Sequence, residues 1–206
     1  YTWQEGAYDT DWEKIALIDG HTRDADISMS GGSEKTNYYF SVSYNDTKGI
    51  VRGNELKKIN ARTNISHNFS DKFSMSMNLG FNRTKIDRIA NDNAFVTPLQ
   101  AIAQAPISPA FLDGEPFSNT VYANFLLEDK YGFFTTIIRR ATGKISGDYK
   151  IIPNLKFTSS FAFDSFAQTE DQFRGSKTPF QSTNGEGTAT NVQTENYIFS
   201  NYFTYD

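Results

Sequence analysis

The sequence predicts an all-β chain: an antiparallel meander forming part of a transmembrane β-barrel, with long loops at one rim. Three observations lead there. Aromatic residues make up 15% of the 206 residues while hydrophobic residues reach only 38%, a balance that suits strands with one greasy face and one wet face. Polar and apolar residues alternate with period two in six segments. The connections between those segments are tight and long by turns, which is the plan of outer-membrane barrels.

The segments follow in order. Residues 24–31 set Asp24, Asp26, Ser28 and Ser30 against Ala25, Ile27 and Met29. Residues 37–45 set Asn37, Tyr39, Ser41, Ser43 and Asn45 against Tyr38, Phe40, Val42 and Tyr44. In 59–69, Asn60, Arg62, Asn64, Ser66 and Asn68 oppose Ile59, Ala61, Thr63, Ile65, His67 and Phe69. In 73–82, Ser74, Ser76, Asn78, Gly80 and Asn82 oppose Phe73, Met75, Met77, Leu79 and Phe81. Two further segments, 141–151 and 155–164, place Lys144, Ser146, Asp148, Lys150, Lys156, Ser160 and Asp164 opposite Ile145, Tyr149, Phe157, Phe161 and Phe163. A seventh strand is expected in Tyr197–Tyr205, where aromatics on both faces leave the register open.

No Asp, Glu, Lys or Arg stands on the apolar side of the six segments. Lipid imposes this, because a Lys or Arg at the bilayer midplane costs roughly 2–4 kcal/mol. The register therefore assigns Phe40, Val42, Ile65, Met77, Leu79, Ile145 and Phe161 to lipid. It assigns Asn64, Ser76, Asn78, Ser146 and Ser160 to the lumen or a plug within it, and a one-residue slip would invert both sets. Phe69 and Phe73 flank one short turn, where an interfacial aromatic girdle belongs.

Gly31–Lys35, Ser70–Lys72 and Ile152–Asn154 read as tight turns. Long connections are expected at about 46–58, 84–136 and 167–195, with 181–191 polar, Gly-containing and mobile. A loop of some fifty residues is foreign to a compact soluble domain. Within the longest, Ala94–Gln104 fits one or two helical turns ahead of Pro106 and Pro109. Phe111, Asp113, Tyr122, Asn124, Tyr131 and Phe133 combine aromatic faces with hydrogen-bonding groups, the mixture used in sugar, peptide and protein recognition. The competing reading is that they pack the loop onto itself.

Other classes are poorly served. A net charge of −4 gives no nucleic-acid footprint, and zero cysteines remove disulfides and thiolate chemistry. No run approaches the ~20 apolar residues of a membrane helix. Tyr1-Thr2-Trp3-Gln4 has neither the basic nor the apolar region of a signal peptide, so the expectation is a mature chain or an internal piece. His21 and His67 lie on different elements without carboxylates at ligand spacing, so neither catalysis nor metal binding is expected. Asp24 and Asp26 read as solvated lumen charges rather than a glycosidase pair, and the glycines as turn residues rather than phosphate cradles. No catalytic residue, metal site or cofactor is expected.

The stretch Thr10–Phe81 resembles the SusC/RagA-like family of TonB-dependent outer-membrane transporters. An Asp9-Thr10-Asp11-Trp12 element precedes the first strand. Ser30-Gly31-Gly32-Ser33-Glu34-Lys35-Thr36 leads into Tyr38-Tyr39, and Tyr44-Asn45-Asp46-Thr47-Lys48-Gly49-Ile50 follows. Arg62 and Asn64 then stand two apart before Ser70-Asp71-Lys72. From about 85 onward the likeness is architectural, in Ala105–Pro109 and Asp113-Gly114. Asp9 stands where the family carries Asn.

The resemblance implies a fragment of a 22-stranded barrel in the bacterial outer membrane, with residues 1–206 as its early strands. The plug, accessory domain and TonB-contacting region would lie elsewhere. It also implies import of oligosaccharides or peptides, in partnership with a SusD-like surface lipoprotein, and energy from TonB through a region outside these residues. The alternative from a different class is a soluble all-β carbohydrate-binding module folded as a sandwich.

Overall fold

The structure is a computed structural model that describes residues 6–89, 96–179 and 184–205. In chain order it contains α1 (Trp12–Ala16), β1 (His21–Gly32), β2 (Thr36–Lys48), β3 (Glu55–Asn68) and β4 (Phe73–Arg88). A 3-10 helix (Pro98–Ala103), the short β5 (Phe111–Leu112) and β6 (Glu115–Pro116), and α2 (Leu126–Tyr131) follow. The chain then runs through β7 (Gly132–Ile152), β8 (Leu155–Arg174) and β9 (Glu186–Tyr205). Seven strands make one antiparallel sheet in the order β1-β2-β3-β4-β7-β8-β9, and β5 and β6 form a separate hairpin.

This is the meander that the alternation predicts. Among the described residues β1 and β9 are open edges and no second sheet packs on the first, so the sandwich alternative is not the architecture.

The tight turns are built by local side chains. The Ser33 hydroxyl accepts from the Thr36 amide at 3.2 Å, and the Ser70 hydroxyl from the Phe73 amide at 3.1 Å. Both are the serine turns that compete with strand continuation.

The long connections are shorter than the sequence suggests. They shrink to 49–54, 89–131 and 175–185, because β2, β4, β7, β8 and β9 all continue past their alternating parts. Residues 46–48, 84–88, 132–136, 167–174 and 186–195 are strand, not loop. The reason is physical. Beyond the apolar stretch both faces are wet, so pairing persists while the period-two signal vanishes. The expectation of a mobile loop across 181–191 is corrected from Glu186 onward, which is strand; residues 181–183 lie outside those described. The helical turn expected at 94–104 is a 3-10 helix from Pro98 to Ala103, and residues 94–95 also lie outside them.

The compact core lies not in the sheet but at its loop end. Trp12, Ala16, Ile89, Ala101, Ala110, Phe125 and Leu126 form one buried cluster. Asp11 caps α1 by accepting from the Lys14 amide at 3.1 Å. The Trp12 indole N–H donates to the Ala105 carbonyl at 3.3 Å, and the Thr10 amide to that of Pro106 at 2.8 Å. Arg52 donates from its backbone to Ala16 and from Nε to Ile15, each at 2.9 Å. The segment before β1 is thus stitched to two loops, forming a cap.

Candidate functional site

The sheet's geometry is the functional statement, because cross-strand partners share a face. One outward row reads Tyr38, Ile65, Met77, Ile145, Phe161 and Phe199; the next reads Met29, Phe40, Thr63, Leu79, Gly143, Phe163 and Tyr197. A third reads Ile27, Val42, Ala61, Phe81 and Ala141. All seven residues assigned to lipid therefore lie on one face. Asn64, Ser76, Asn78, Ser146 and Ser160 lie on the other.

On β8 the outward face is charge-free up to Asp171; on β2, β3, β4 and β7 its charge-free runs are Thr36–Tyr44, Ile59–His67, Phe73–Phe81 and Ala141–Tyr149. Each covers about nine residues, or roughly 27 Å along the strand, which a barrel tilt of 35–45° reduces to roughly 20 Å. That is close to the apolar band of an outer-membrane barrel, ~25 Å tall.

Among the described residues no second layer packs on these side chains, even away from the sheet's edges: Val42 is 49% exposed, Phe81 44% and Ile145 42%. A contiguous apolar face of this size is not left to water. Its lower border is aromatic. Phe69 stacks on Phe73 with centroids 5.4 Å apart, and Phe157 meets Phe203 at 5.0 Å. His67, the one imidazole in the band, is satisfied by the Thr36 hydroxyl at 2.7 Å.

The opposite face carries a polar web. Asn45 donates to Asp24 at 2.6 Å, Asn60 to Ser43 at 2.9 Å, and Asn82 to Asn60 at 2.7 Å. Arg140 grips Asp164 through two nitrogens. Asp24 and Asp26 sit on this face as expected of lumen charges. Small side chains form one row, Ser66, Ser76, Ser146, Ser160 and Ser200. A depression of about 620 Å³ surrounds Gly80, bordered by Arg62, Asn64, Asn78, Lys144 and Asp164.

The loop residues fare unequally. Phe111 (51% exposed) and Tyr122 (44%) stand on the surface of the cap. Asp113 occupies the tip of the β5–β6 hairpin with φ 53°, followed by Gly114 at φ 80°, the pair of positive angles that a two-residue Asp-Gly hairpin turn requires.

Asn124 requires a correction. It is 1% exposed, and its amide is spent on the Ala110 carbonyl at 3.1 Å and the Phe117 carbonyl at 2.9 Å. It shapes the loop and is not available to a ligand. Tyr131 hydrogen-bonds Glu115 and lies under Lys130 and Lys177. The Glu115 carboxyl is held below its usual range by its hydrogen bond from Lys130, then by that from Tyr131. Phe133 is not a loop residue. It belongs to β7, on the outward face above the band, stacked on Phe173 at 5.9 Å.

Sequence reading missed a knot at the loop end of the inward face. Arg88 meets Glu170 at 3.0 Å and Thr136 at 3.3 Å, and its guanidinium lies 3.9 Å from the Phe134 ring centre. These residues are far apart in sequence and fall in stretches read as loops, so no periodic signal marked them.

The arrangement is a curtain of antiparallel strands with one apolar face, one polar face and a folded cap at one end: the fold is that of a segment of β-barrel wall. No family model matches the chain. Over 197 residues it is 28% identical to a TonB-dependent receptor of Formosa agariphila, covering 90% of this chain and 19% of that protein. Over 150 residues it is 25% identical to the TonB-dependent receptor SusC of Bacteroides thetaiotaomicron, covering 72% and 14%.

The fold matches a solved structure of the RagAB peptide importer in its open-open state with TM-score 0.76 and 21% identity, over 97% of this chain and 23% of that one. The closed-closed state gives 0.75, over 97% and 24%. The chain spans about a fifth of the relatives' length. It is similar to one stretch of a SusC-like TonB-dependent receptor, and its all-β sheet has the fold of the corresponding stretch of the RagAB importer.

Proposed function

We propose that these residues are a wall segment of an outer-membrane importer energised through TonB, with residues 1–206 as early strands of a barrel completed by other segments of a longer protein. The observation that carries this reading is the charge-free outward face, held to the same height on the four adjoining strands β2, β3, β4 and β7. Open strand edges in hydrocarbon cost several kcal/mol per unpaired group, so β1 and β9 pair with strands outside this chain. Lipid covers Phe40, Val42, Ile65, Met77, Leu79, Ile145 and Phe161, and the polar face lines the lumen.

The cap stands at the extracellular mouth, since long loops occupy that rim. There Phe111, Asp113, Tyr122 and Tyr131 offer contacts to a SusD-like surface lipoprotein or to an arriving oligosaccharide or peptide. No bond is broken by this segment. Its part in import is to hold the path open and present the cap, while energy enters through regions beyond it.

The test uses the full-length protein in liposomes, with single fluorophores attached at Ile145→Cys or Ser146→Cys. Brominated lipid should quench the probe at 145 and spare the one at 146. Equal quenching would refute the assignment of faces.

A further inference from the structure

The first charges above the apolar band do not alternate in sign at the centre of the sheet. Directly above Phe81 and Ala141 on the outward face stand Arg83 and Arg139, which are cross-strand partners. In the next row Lys57 faces Lys85. Like charges placed directly opposite destabilise a sheet, and here two such pairs adjoin. Among the described residues Arg83 and Arg139 make no ion pair; Lys85 contacts Asp87 at 2.7 Å, and Lys57 lies near the same carboxylate. Asp46, beside Lys57 in register, and Glu55, opposite Asp87, are the other acids next to the two lysines, while Arg83 and Arg139 stand one row nearer the apolar band. Arg139 and Lys57 are exposed. On β8 and β9 the first outward charges are instead acidic, Asp171 and Glu195, and on the other side Asp46 of β2 separates Lys57 from Arg23 of β1, so the adjoining cations lie on β3, β4 and β7.

We infer that Arg83 and Arg139, flanked by Lys57 and Lys85, form a binding site for the phosphate of a lipid headgroup in the leaflet at the loop rim. The inference rests on the reading of this face as lipid-covered. The patch adjoins the apolar band, so a lipid whose chains lie against Phe81, Val42 and Leu79 brings its headgroup to these cations. Cross-strand partners stand about 5 Å apart, a span one phosphate can bridge with charge-assisted hydrogen bonds from both guanidinium groups. Such a bridge turns the repulsive Arg83–Arg139 pair into two attractive contacts with one anion. Lipid is favoured over a protein partner by this continuity with the apolar face.

The experiment uses the full-length protein in neutral micelles, titrated with phosphatidic acid or with phosphatidylcholine, and counts retained lipids by native mass spectrometry. The wild type should retain phosphatidic acid preferentially. Arg83→Gln with Arg139→Gln should reduce that preference by roughly thirtyfold, given the usual contribution of each cation near an anionic surface. Lysine at both positions should restore most of it. Lumen controls Arg62→Gln and Lys144→Gln should leave it unchanged.

Equal retention of the two lipids by the wild type, or an equal loss in the lumen controls, would overturn the site. If the glutamine pair fails to assemble, the lysine pair and the single Arg139→Gln decide by the same readout. Quenching at Ile145 by brominated lipid separates the two readings. With quenching intact and no lipid preference, only the headgroup site falls; with quenching absent, the wall assignment falls and the site with it.

Discussion

Replacing Met77 by arginine tests the height of the apolar band as well as its face. Met77 is the central residue of the charge-free run Phe73–Phe81 on β4, flanked in register by Ile65 and Ile145. A midplane arginine facing lipid costs roughly 2–4 kcal/mol, falling to about 0–1 kcal/mol near the interface. Phe81 is the last residue of the run and neighbours the row of Arg83, so Phe81→Arg belongs to the low end. Ser76→Arg points the other way, into a row of serines on the polar face.

The expected order of destabilisation is Met77→Arg well above Phe81→Arg, with Ser76→Arg near zero. Reversible unfolding of the full-length protein in liposomes by guanidinium measures it, with heat-resistant migration on gels as a check of assembly. An inverted order of Met77 and Ser76 would mean that the faces are swapped. Equal costs at Met77 and Phe81 would mean that the band is not a membrane band.

Four further outcomes are expected. On β2, Val42→Arg should impair assembly more than Ser43→Arg, and equal tolerance would contradict a lipid-facing strand. Gly53 has φ 79°, and a Cβ there would lie 2.3 Å from Ile89 Cγ1; Gly53→Ala should therefore loosen the cap by about 1–3 kcal/mol, read as faster hydrogen exchange around Trp12. Trp12→Ala should remove the same protection at a cost of about 3–5 kcal/mol, while leaving strand assembly intact. Glu128 is buried, and burial drives its carboxyl above the ordinary 4.5 despite the opposing pull of Arg174.

A raised carboxyl favours folding at low pH, and the benefit is lost as pH rises through the folded value. Protection of the cap, corrected for intrinsic exchange, should fall from about pH 4.5 upward, and Glu128→Gln should abolish the fall. A rise with pH would show that Arg174 dominates, though their closest approach of 3.7 Å is too long for a hydrogen bond.

What the sequence disclosed and what it withheld divide at the edge of the charge-free band. Within the band period two is strict, so Phe40, Ile65 and Ile145 announce which face of the sheet they share without any structural help. Above the band both faces meet water and the constraint lapses; thus Gln168, Glu170 and Gln172 on one face of β8 and Thr169 and Asp171 on the other carry no pattern, although the strand is continuous. Tyr197–Tyr205 is the instructive intermediate. It lies in the band, yet Ile198 and Tyr202 on the inward face blur the alternation, and only pairing with β8 fixes Tyr197, Phe199, Phe203 and Tyr205 as outward.

The cap was least legible because its order is made by long-range contacts. Asn124 has the composition of a recognition residue, but its neighbours Ala110 and Phe117 supply carbonyls that a sequence pattern does not reveal. Trp12 shows the converse. In sequence it is part of a short motif before the first strand; in space its ring is the centre of the cluster that holds the 89–131 loop over the rim. A single sheet with no second layer packed on it has no interior of its own. The aromatic bulk that a soluble domain would bury in its middle is therefore spent at two places, on the outward face and under the cap. That division explains how a chain only 38% hydrophobic holds a folded loop while presenting an apolar face.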